Sequence, residues 1–250
     1  MKLSEKTVHD IIVLLKQIIK FAVSKKYIEY FDFNVSQPKV KNKELAILNK
    51  YEHSKLINYI QLTFDINKIG VLLSLFMGVR IGEVCALKWE DVNFQTETLR
   101  INKTMQRIKN LDEKAINKTK IVIDTPKSQK SIREIPIPSF IVNLMKKYKT
   151  DKEKYLLTGT AEFIEPRVYQ DMFKTYLKES GIEDINYHAL RHTFATRAIE
   201  QDFDIKSLSE ILGHSSVKFT LERYVHPSEE HKRKNMEKLS LIHISEPTRH

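Results

Sequence analysis

The sequence predicts a mostly α-helical fold with a small antiparallel three-stranded β-sheet, an α+β class. Two patterns favour it. Apolar residues recur at helical spacing through most of the chain, and one central stretch has alternating or β-branched residues instead. The length of 250 residues suits one large domain or two small ones, and a hydrophobic content of 41% is enough to form a buried core.

The first predicted helix is amphipathic and covers Thr7–Lys26, because its apolar residues fall on one face and Ser4 is placed to cap it. Only a short stretch follows before Phe33–Lys43, which has the composition of an exposed basic linker. A helix with so wide an apolar face needs partners to cover it. We therefore expect residues 1–43 to be an incomplete helical unit that ends in this linker.

The following elements are helical and then extended. Apolar spacing predicts three helices, over Glu52–Thr63, Ile69–Met77 and Ile81–Leu87. Three strands are predicted next, over Thr98–Ile101, Ile121–Thr125 and Ile132–Ile137. A long polar loop, Gln106–Lys120, separates the first two strands. Helical spacing then returns, over Ser139–Lys149, Pro166–Ser180, His188–Gln201, Asp204–Leu212, Val217–Tyr224 and Ser228–Leu239.

The composition excludes several classes of protein. The single cysteine, Cys85, rules out an intrachain disulfide and a cysteine-rich zinc site. No apolar run approaches the ~18 residues of a membrane span, and the charged residues of Met1–Asp10 show no secretory signal. These features predict a soluble, cytoplasmic protein with no membrane partner.

The positive charge is concentrated in one segment. Arg100–Glu134 contains ten basic and four acidic residues, so it carries +6 of the formal net charge of +10. A charge run is usually a solvated face, but this segment and the basic linker flank a candidate active site. We therefore expect both regions to contact DNA phosphates. The residues predicted to do so are Lys39, Lys41, Lys43, Lys103, Arg107 and Lys130.

The candidate site residues stand at breaks between apolar elements. They are Arg80, Glu83, Lys127, His188, Arg191, His214 and Tyr224. Each has a purely structural alternative: Arg80 and Glu83 can form an ion pair, and a tyrosine at a helix end is usually a packing residue. His188 and His192 also have the spacing of two metal ligands, but Ala189 stands where a metalloprotease needs Glu, so no metal is predicted.

In combination, three segments resemble the tyrosine recombinase (phage integrase) family. The first, from Gly78, reads Gly-Val-Arg-Ile-Gly-Glu-Val-Cys-Ala-Leu-Lys-Trp-Glu-Asp-Val. The second, from His188, reads His-Ala-Leu-Arg-His-Thr-Phe-Ala-Thr. The third, from Ile211, reads Ile-Leu-Gly-His-Ser-Ser-Val-Lys-Phe-Thr-Leu-Glu-Arg-Tyr-Val-His. The resemblance covers roughly Tyr51 to Leu239 and is greatest to integrases of conjugative transposons and temperate phages of low-GC Gram-positive bacteria.

The resemblance implies site-specific DNA strand exchange through a covalent phosphotyrosyl intermediate, without a metal ion or nucleotide cofactor. Tyr224 would attack the scissile phosphorus, and Arg80, Arg191 and His214 would stabilise the negative charge that develops on the phosphoryl oxygens. Lys127 would protonate the departing 5′ oxygen, although a shift of strand register would present Lys130 instead. His188 would assist proton transfer at the tyrosine or at the attacking hydroxyl, and Glu83 would orient Arg80.

The resemblance also implies partners. These are double-stranded DNA attachment sites, three further copies of the chain in a homotetramer on DNA, and an excisionase or a DNA-bending accessory protein. Free of DNA, the chain is expected to be a monomer. Three alternatives remain open: a non-catalytic or truncated DNA-binding relative, a type IB topoisomerase-like enzyme that relaxes strands, and a metal-dependent hydrolase.

Both ends of the chain depart from the family pattern. Residues 1–43 resemble only the last part of the helical core-binding domain that clamps DNA, and residues 44–238 are expected to form the catalytic domain. The segment Leu239–Arg249 reads like a translated sequencing-library adapter. We therefore expect residues 239–250 to be a non-native tail that packs poorly or is disordered.

Overall fold

A computed structural model describes residues 3–38, 45–112, 117–125, 131–224, 233 and 236–237 of the chain. It confirms the predicted class, because the chain is mostly helical with small antiparallel sheets. Two compact units are distinguished, Met1–Leu45 and Ala46–His250, and each is described by itself. Within the described ranges, no helix combines the length and the apolar character needed to cross a membrane.

The first unit contains helix α1 (Glu5–Ser24). The predicted cap is confirmed, since the Ser4 Oγ accepts a hydrogen bond from the Thr7 N–H at 3.1 Å and so satisfies a free donor of the first turn. Most of the apolar face of α1 is exposed. Among the residues of this helix, Ile12 is buried. The linker lysines Lys39, Lys41 and Lys43 lie outside the described residues.

The helices of the second unit follow the predicted order. They are α2 (Lys50–Leu62), α3 (Ile69–Met77), α4 (Ile81–Ala86), α5 (Ser139–Tyr148), α6 (Pro166–Glu179), α7 (His188–Glu200), α8 (Ile205–Leu212) and α9 (Val217–Tyr224). Helix α2 begins before the predicted residue because Asn49 and Glu52 form a reciprocal capping box. The helix predicted over Ser228–Leu239 and the tail over residues 239–250 fall almost entirely outside the described residues.

The sheet arrangement differs from the prediction. The strands are β1 (Val92–Asn93), β2 (Thr98–Ile101), β3 (Thr104–Lys109), β4 (Thr119–Asp124) and β5 (Arg133–Pro136). Strands β1, β2 and β5 form one antiparallel sheet, and β3 and β4 form a separate antiparallel pair. The prediction of one sheet from the strands now seen as β2, β4 and β5 was therefore wrong, and so was the loop predicted to begin at Gln106.

The physical reason is the exposure of the β3–β4 pair. Met105 is the only residue of β3 that is fully buried, and most of the others are exposed. The β3–β4 ribbon is exposed to water over most of its length, and such a ribbon needs no regular alternation of apolar and polar residues. The pattern that marks a half-buried strand is therefore absent from this part of the sequence.

The core of the second unit positions the candidate site. Helix α3 is buried along almost its whole length and packs against α4 and α7. It ends at Gly78, whose φ of +65° is readily available to glycine. A Cβ at this position would lie 2.7 Å from side-chain atoms of both Leu212 and Phe194. The chain therefore brings the end of α3 against α7 and the end of α8.

Candidate active site

Five of the six predicted catalytic side chains line one pocket of about 230 Å³. They come from the break after α3, the beginning of α7, the break after α8 and the end of α9. The residues described as lining it are Arg80, His188, Arg191, His192, His214, Phe219, Arg223 and Tyr224. The sixth residue, Lys127, and its alternative, Lys130, lie outside the described residues.

Arg80 is oriented by a buried carboxylate. The Glu83 Oε1 accepts hydrogen bonds from Nη1 of Arg80 at 2.9 Å and from Nη1 of Arg133 at 3.0 Å. The Glu83 Oε2 accepts from the Arg80 backbone N–H and from Nη2 of Arg133, both at 2.9 Å. Desolvation raises the pKa of Glu83, but the hydrogen bonds and charge of Arg133, followed by the charge of Arg80, outweigh it and lower this pKa to about 2. Glu83 is therefore an anion that holds two guanidinium groups.

Arg191 is almost completely buried, with 2% of its surface exposed. Its Nη1 donates to the Gly78 carbonyl at 2.6 Å, and its Nη2 donates to the Leu212 carbonyl at 2.7 Å. These carbonyls stand at the carboxyl ends of α3 and α8, where helix dipoles favour a cation. Burial and the nearby charge of Arg80 lower the pKa of Arg191 to about 9, so the group stays cationic at neutral pH.

The Tyr224 side chain lies inside the pocket of its own chain, with 7% of the residue exposed. Its Oη is 2.8 Å from Nδ1 of His192. Its ring is parallel to the His214 ring, with centroids 6.3 Å apart, and Nδ1 of His214 bonds Oγ1 of Thr220 at 2.8 Å. Burial raises the pKa of Tyr224 and the charge of Arg191 opposes that rise. The hydroxyl is thus an un-ionised phenol beside a guanidinium.

The pKa values of two pocket histidines predict how the free energy of unfolding depends on pH. Burial and cationic neighbours lower the pKa of His192 to about 4 and that of His214 to about 3, from an ordinary value of 6.5. Between pH 6.5 and about 4 the folded chain therefore binds fewer protons than the unfolded chain. We expect the free energy of unfolding to fall as the pH falls through this window. Histidine ¹³C NMR is the check, and titration of either ring near pH 6.5 in the folded protein would contradict the prediction.

The two described residues of the predicted DNA surface are engaged in ion pairs. The Lys103 Nζ lies 3.0 Å from a carboxylate oxygen of Asp91 and 3.3 Å from one of Glu90. Arg107 bonds the Glu165 carboxylate, with its Nε at 3.0 Å. Neither side chain is among the residues that line the pocket. Their contact with DNA stays a prediction.

Sequence reasoning missed three residues that the structure brings to this site. Arg133, in β5, bonds the same Glu83 carboxylate as Arg80. It lies fifty residues from Glu83 along the sequence, so no local pattern indicates this pairing. Arg223 lines the pocket next to Tyr224. His192 was considered only as a metal ligand, although it follows Arg191 directly and shares a helix face with His188. Over the described residues, no three His, Cys, Asp or Glu side chains are grouped as a metal site requires.

Comparison with known proteins identifies related chains. The sequence model of the phage integrase family matches residues 46–231. A XerC-like tyrosine recombinase of Caldanaerobacter subterraneus subsp. tengcongensis is 32% identical over 190 residues, which are 69% of this chain and 49% of the relative. The tyrosine recombinase XerA of Thermococcus kodakarensis is 29% identical over 82% of this chain and 66% of its own length. The chain thus spans about half to two thirds of these relatives.

Solved structures show the same fold. The integrase of transposon Tn1549, in complex with transposon right end DNA, superimposes with a TM-score of 0.74 and 25% sequence identity. The match covers 95% of this chain and 80% of the solved chain.

Proposed function

The chain belongs to the phage integrase family, and from this premise we propose that it is a site-specific DNA recombinase that integrates or excises a mobile element. It cleaves and rejoins DNA strands through a covalent 3′-phosphotyrosyl intermediate. The proposal rests on one observation: Tyr224, which carries the hydroxyl, lines the same pocket as Arg80, Arg191 and His214. A pocket that only bound DNA would not need the hydroxyl.

The pocket residues fit the charge changes of phosphoryl transfer. Attack by Oη of Tyr224 on phosphorus places additional negative charge on the non-bridging oxygens. Two guanidinium groups, from Arg80 and Arg191, stabilise that charge through charge-assisted hydrogen bonds. His214 donates a further bond through Nε2, since its Nδ1 is engaged with Thr220.

The remaining steps are protonation of the departing 5′ oxygen and resealing of the strand by a 5′ hydroxyl. Lys127 is proposed to protonate the departing 5′ oxygen, with Lys130 as the alternative. His188 is proposed to assist proton transfer at the tyrosine or at the attacking 5′ hydroxyl. The phosphotyrosyl ester conserves the energy of the phosphodiester bond, so a second 5′ hydroxyl can reseal the strand. Neither step needs a metal ion or a nucleotide.

The proposed partners are those of a recombination reaction. The substrate is a double-stranded DNA attachment site, bound by residues 44–238 as the catalytic domain and by residues 1–43 as part of a helical clamp. Four copies assemble on DNA from free monomers, with an excisionase or a DNA-bending protein as accessory factor. The reaction takes place where the DNA is, in the cytoplasm. Support comes from the basic net charge and from the DNA-bound structure of the Tn1549 integrase.

Covalent capture tests the proposal. The purified chain is incubated with pooled nicked duplexes whose central segment is randomised, so that the short 5′-hydroxyl strand diffuses away after cleavage. We expect an adduct that survives SDS, with one enriched DNA sequence and the nucleotide mapped to Tyr224 by mass spectrometry. Absence of any adduct from the wild-type chain overturns the proposal. Relaxation of supercoiled plasmid without an enriched sequence favours the topoisomerase alternative instead.

Arg191→Lys is expected to slow adduct formation by about 10²–10³-fold, because an ammonium cannot reproduce the paired bonds of a guanidinium. It also leaves one of two buried carbonyls without a donor, which lowers the free energy of unfolding by about 1–3 kcal/mol. Single-turnover capture and urea unfolding measure the two effects. Arg197→Lys, on the same helix but outside the pocket, is the matched control. Equal rates for both variants would contradict the role given to Arg191.

A further inference from the structure

His192 lines the pocket and has no role in the mechanism proposed above. Its Nδ1 lies 2.8 Å from the Tyr224 Oη, and the two residues are 8% and 7% exposed. A buried hydrogen bond of this length between an imidazole nitrogen and the attacking hydroxyl is well placed for proton transfer. His192 therefore touches the reacting atom itself.

The other two histidines of the pocket are arranged differently. The Nδ1 of His214 is bonded to Oγ1 of Thr220, and its ring stacks parallel to the tyrosine ring. His188 is exposed at the pocket rim, and its ring packs edge-on against His192 with centroids 4.5 Å apart. In the part of the chain that the structure describes, His192 is the imidazole that is hydrogen-bonded to the Tyr224 hydroxyl.

We propose that His192 accepts the proton of Tyr224 during strand cleavage and returns it during rejoining. The inference rests on the proposed function. As the Oη–P bond forms, the phenol O–H bond breaks and its proton moves to Nδ1, which requires that the other ring proton be on Nε2. The P–O5′ bond breaks at the same time, and O5′ takes a proton from the general acid. In rejoining, a 5′ hydroxyl attacks phosphorus and gives its proton back to the deprotonated general acid, the P–Oη bond breaks, and the proton on Nδ1 returns to Oη.

Two properties of the neighbourhood support this step. Burial, together with the charges of Arg223 and Arg191, lowers the pKa of His192 to about 4, so the ring is unprotonated at neutral pH and a nitrogen lone pair is available. The charge of Arg191 stabilises the phenolate that forms as the proton leaves. The hydroxyl thus stands between a cation that favours its ionisation and a base that receives its proton.

His192→Asn separates proton transfer from positioning. The asparagine amide carries an acceptor oxygen near the place of Nδ1, yet it does not take up a proton at neutral pH. We expect adduct formation on the captured DNA sequence to slow by about 10²–10⁴-fold, the usual range for a general base. His53→Asn is the matched control, because His53 is a part-buried histidine of α2 outside the pocket. Circular dichroism and thermal unfolding establish that both variants fold.

A fluorinated tyrosine at position 224 tests whether His192 accepts a proton or only positions the tyrosine ring. Difluorotyrosine placed at position 224 by amber suppression ionises more readily than tyrosine and so depends less on a base. We expect the deficit of His192→Asn to shrink in this background. A deficit of the same size with both nucleophiles would mean that His192 only positions the ring, and a His192→Asn rate equal to that of wild type would overturn the inference directly.

The failure of this inference and that of the proposed function are distinguishable. If the wild-type chain forms no adduct, the proposed function fails and the inference fails with it. If the wild-type chain forms the Tyr224 adduct and His192→Asn does so equally fast, the recombinase function stands and the inference alone is wrong.

Discussion

Replacing Tyr224 by phenylalanine is expected to abolish covalent capture of DNA completely. The substitution removes Oη, the atom proposed to attack phosphorus, and leaves the ring in place beside His214. DNA affinity should stay within about threefold, because phosphate contacts are made by lysine and arginine side chains. Loss of the hydrogen bond to His192 should cost about 1 kcal/mol of unfolding free energy, which leaves the chain folded.

Two measurements check this result together. Denaturing gels on nicked duplexes report the adduct, and fluorescence anisotropy on the same duplexes reports binding. Tyr51→Phe, at an exposed tyrosine of α2, serves as the control and should retain the adduct. Residual adduct in Tyr224→Phe would show that another residue is the nucleophile. Loss of binding along with the adduct would mean that the hydroxyl serves to hold DNA.

Glu83→Gln is expected to destabilise the second unit by about 3–5 kcal/mol, the usual effect of removing one partner of a buried ion pair. Glu83 and Arg133 are both buried, with side-chain exposures of 3% and 6%. Glutamine replaces one acceptor oxygen by an amide donor that faces the Arg133 guanidinium. The charge of Arg133 would then remain buried without its carboxylate.

Urea unfolding at pH 7 measures this loss, and Glu200→Gln is the matched control. Glu200 pairs with Arg197 at the surface, where its side chain is 44% exposed, so its loss should cost at most about 1 kcal/mol. The folded-state pKa of Glu83, about 2, is depressed below its ordinary 4.5. Its stabilising effect is therefore fully present above pH 4.5 and is lost as the pH falls toward 2. Equal stability of the two variants would show that the Glu83 network contributes little.

The helices were more predictable from sequence than the sheets. The prediction for α3, Ile69–Met77, agrees with the structure at both ends, because an apolar run followed by glycine specifies a buried helix and its termination. The pairing of β3 with β4 was not predictable, since an exposed ribbon leaves no alternation of apolar residues. The pairing of β2 with β5, which are not consecutive along the chain, depends on tertiary contacts that local spacing does not encode.

In the candidate site, too, some features were predictable from sequence and others depend on the fold. Residues at breaks between elements, such as Arg80 and His214, were visible because a polar group between two apolar segments requires an explanation. The third and fourth bonds to Glu83 come from Arg133 and depend on the approach of β5 to α4. The contact of His192 with Tyr224 depends on how α9 lies against α7, so their separation along the sequence gave no sign of it.

The two carbonyl bonds of Arg191 give this side chain a structural role in addition to the one proposed for it in the pocket. The guanidinium that would grip the scissile phosphate also fastens the carboxyl ends of α3 and α8 to α7. Loss of this arginine would therefore remove two hydrogen bonds between helices as well as a charge of the pocket, and it would lower the free energy of unfolding of the second unit. The Tyr224 hydroxyl contributes less to stability, because loss of its hydrogen bond to His192 should cost about 1 kcal/mol. We therefore expect a chain that keeps its fold but forms no adduct to arise more readily from loss of the Tyr224 hydroxyl than from loss of Arg191.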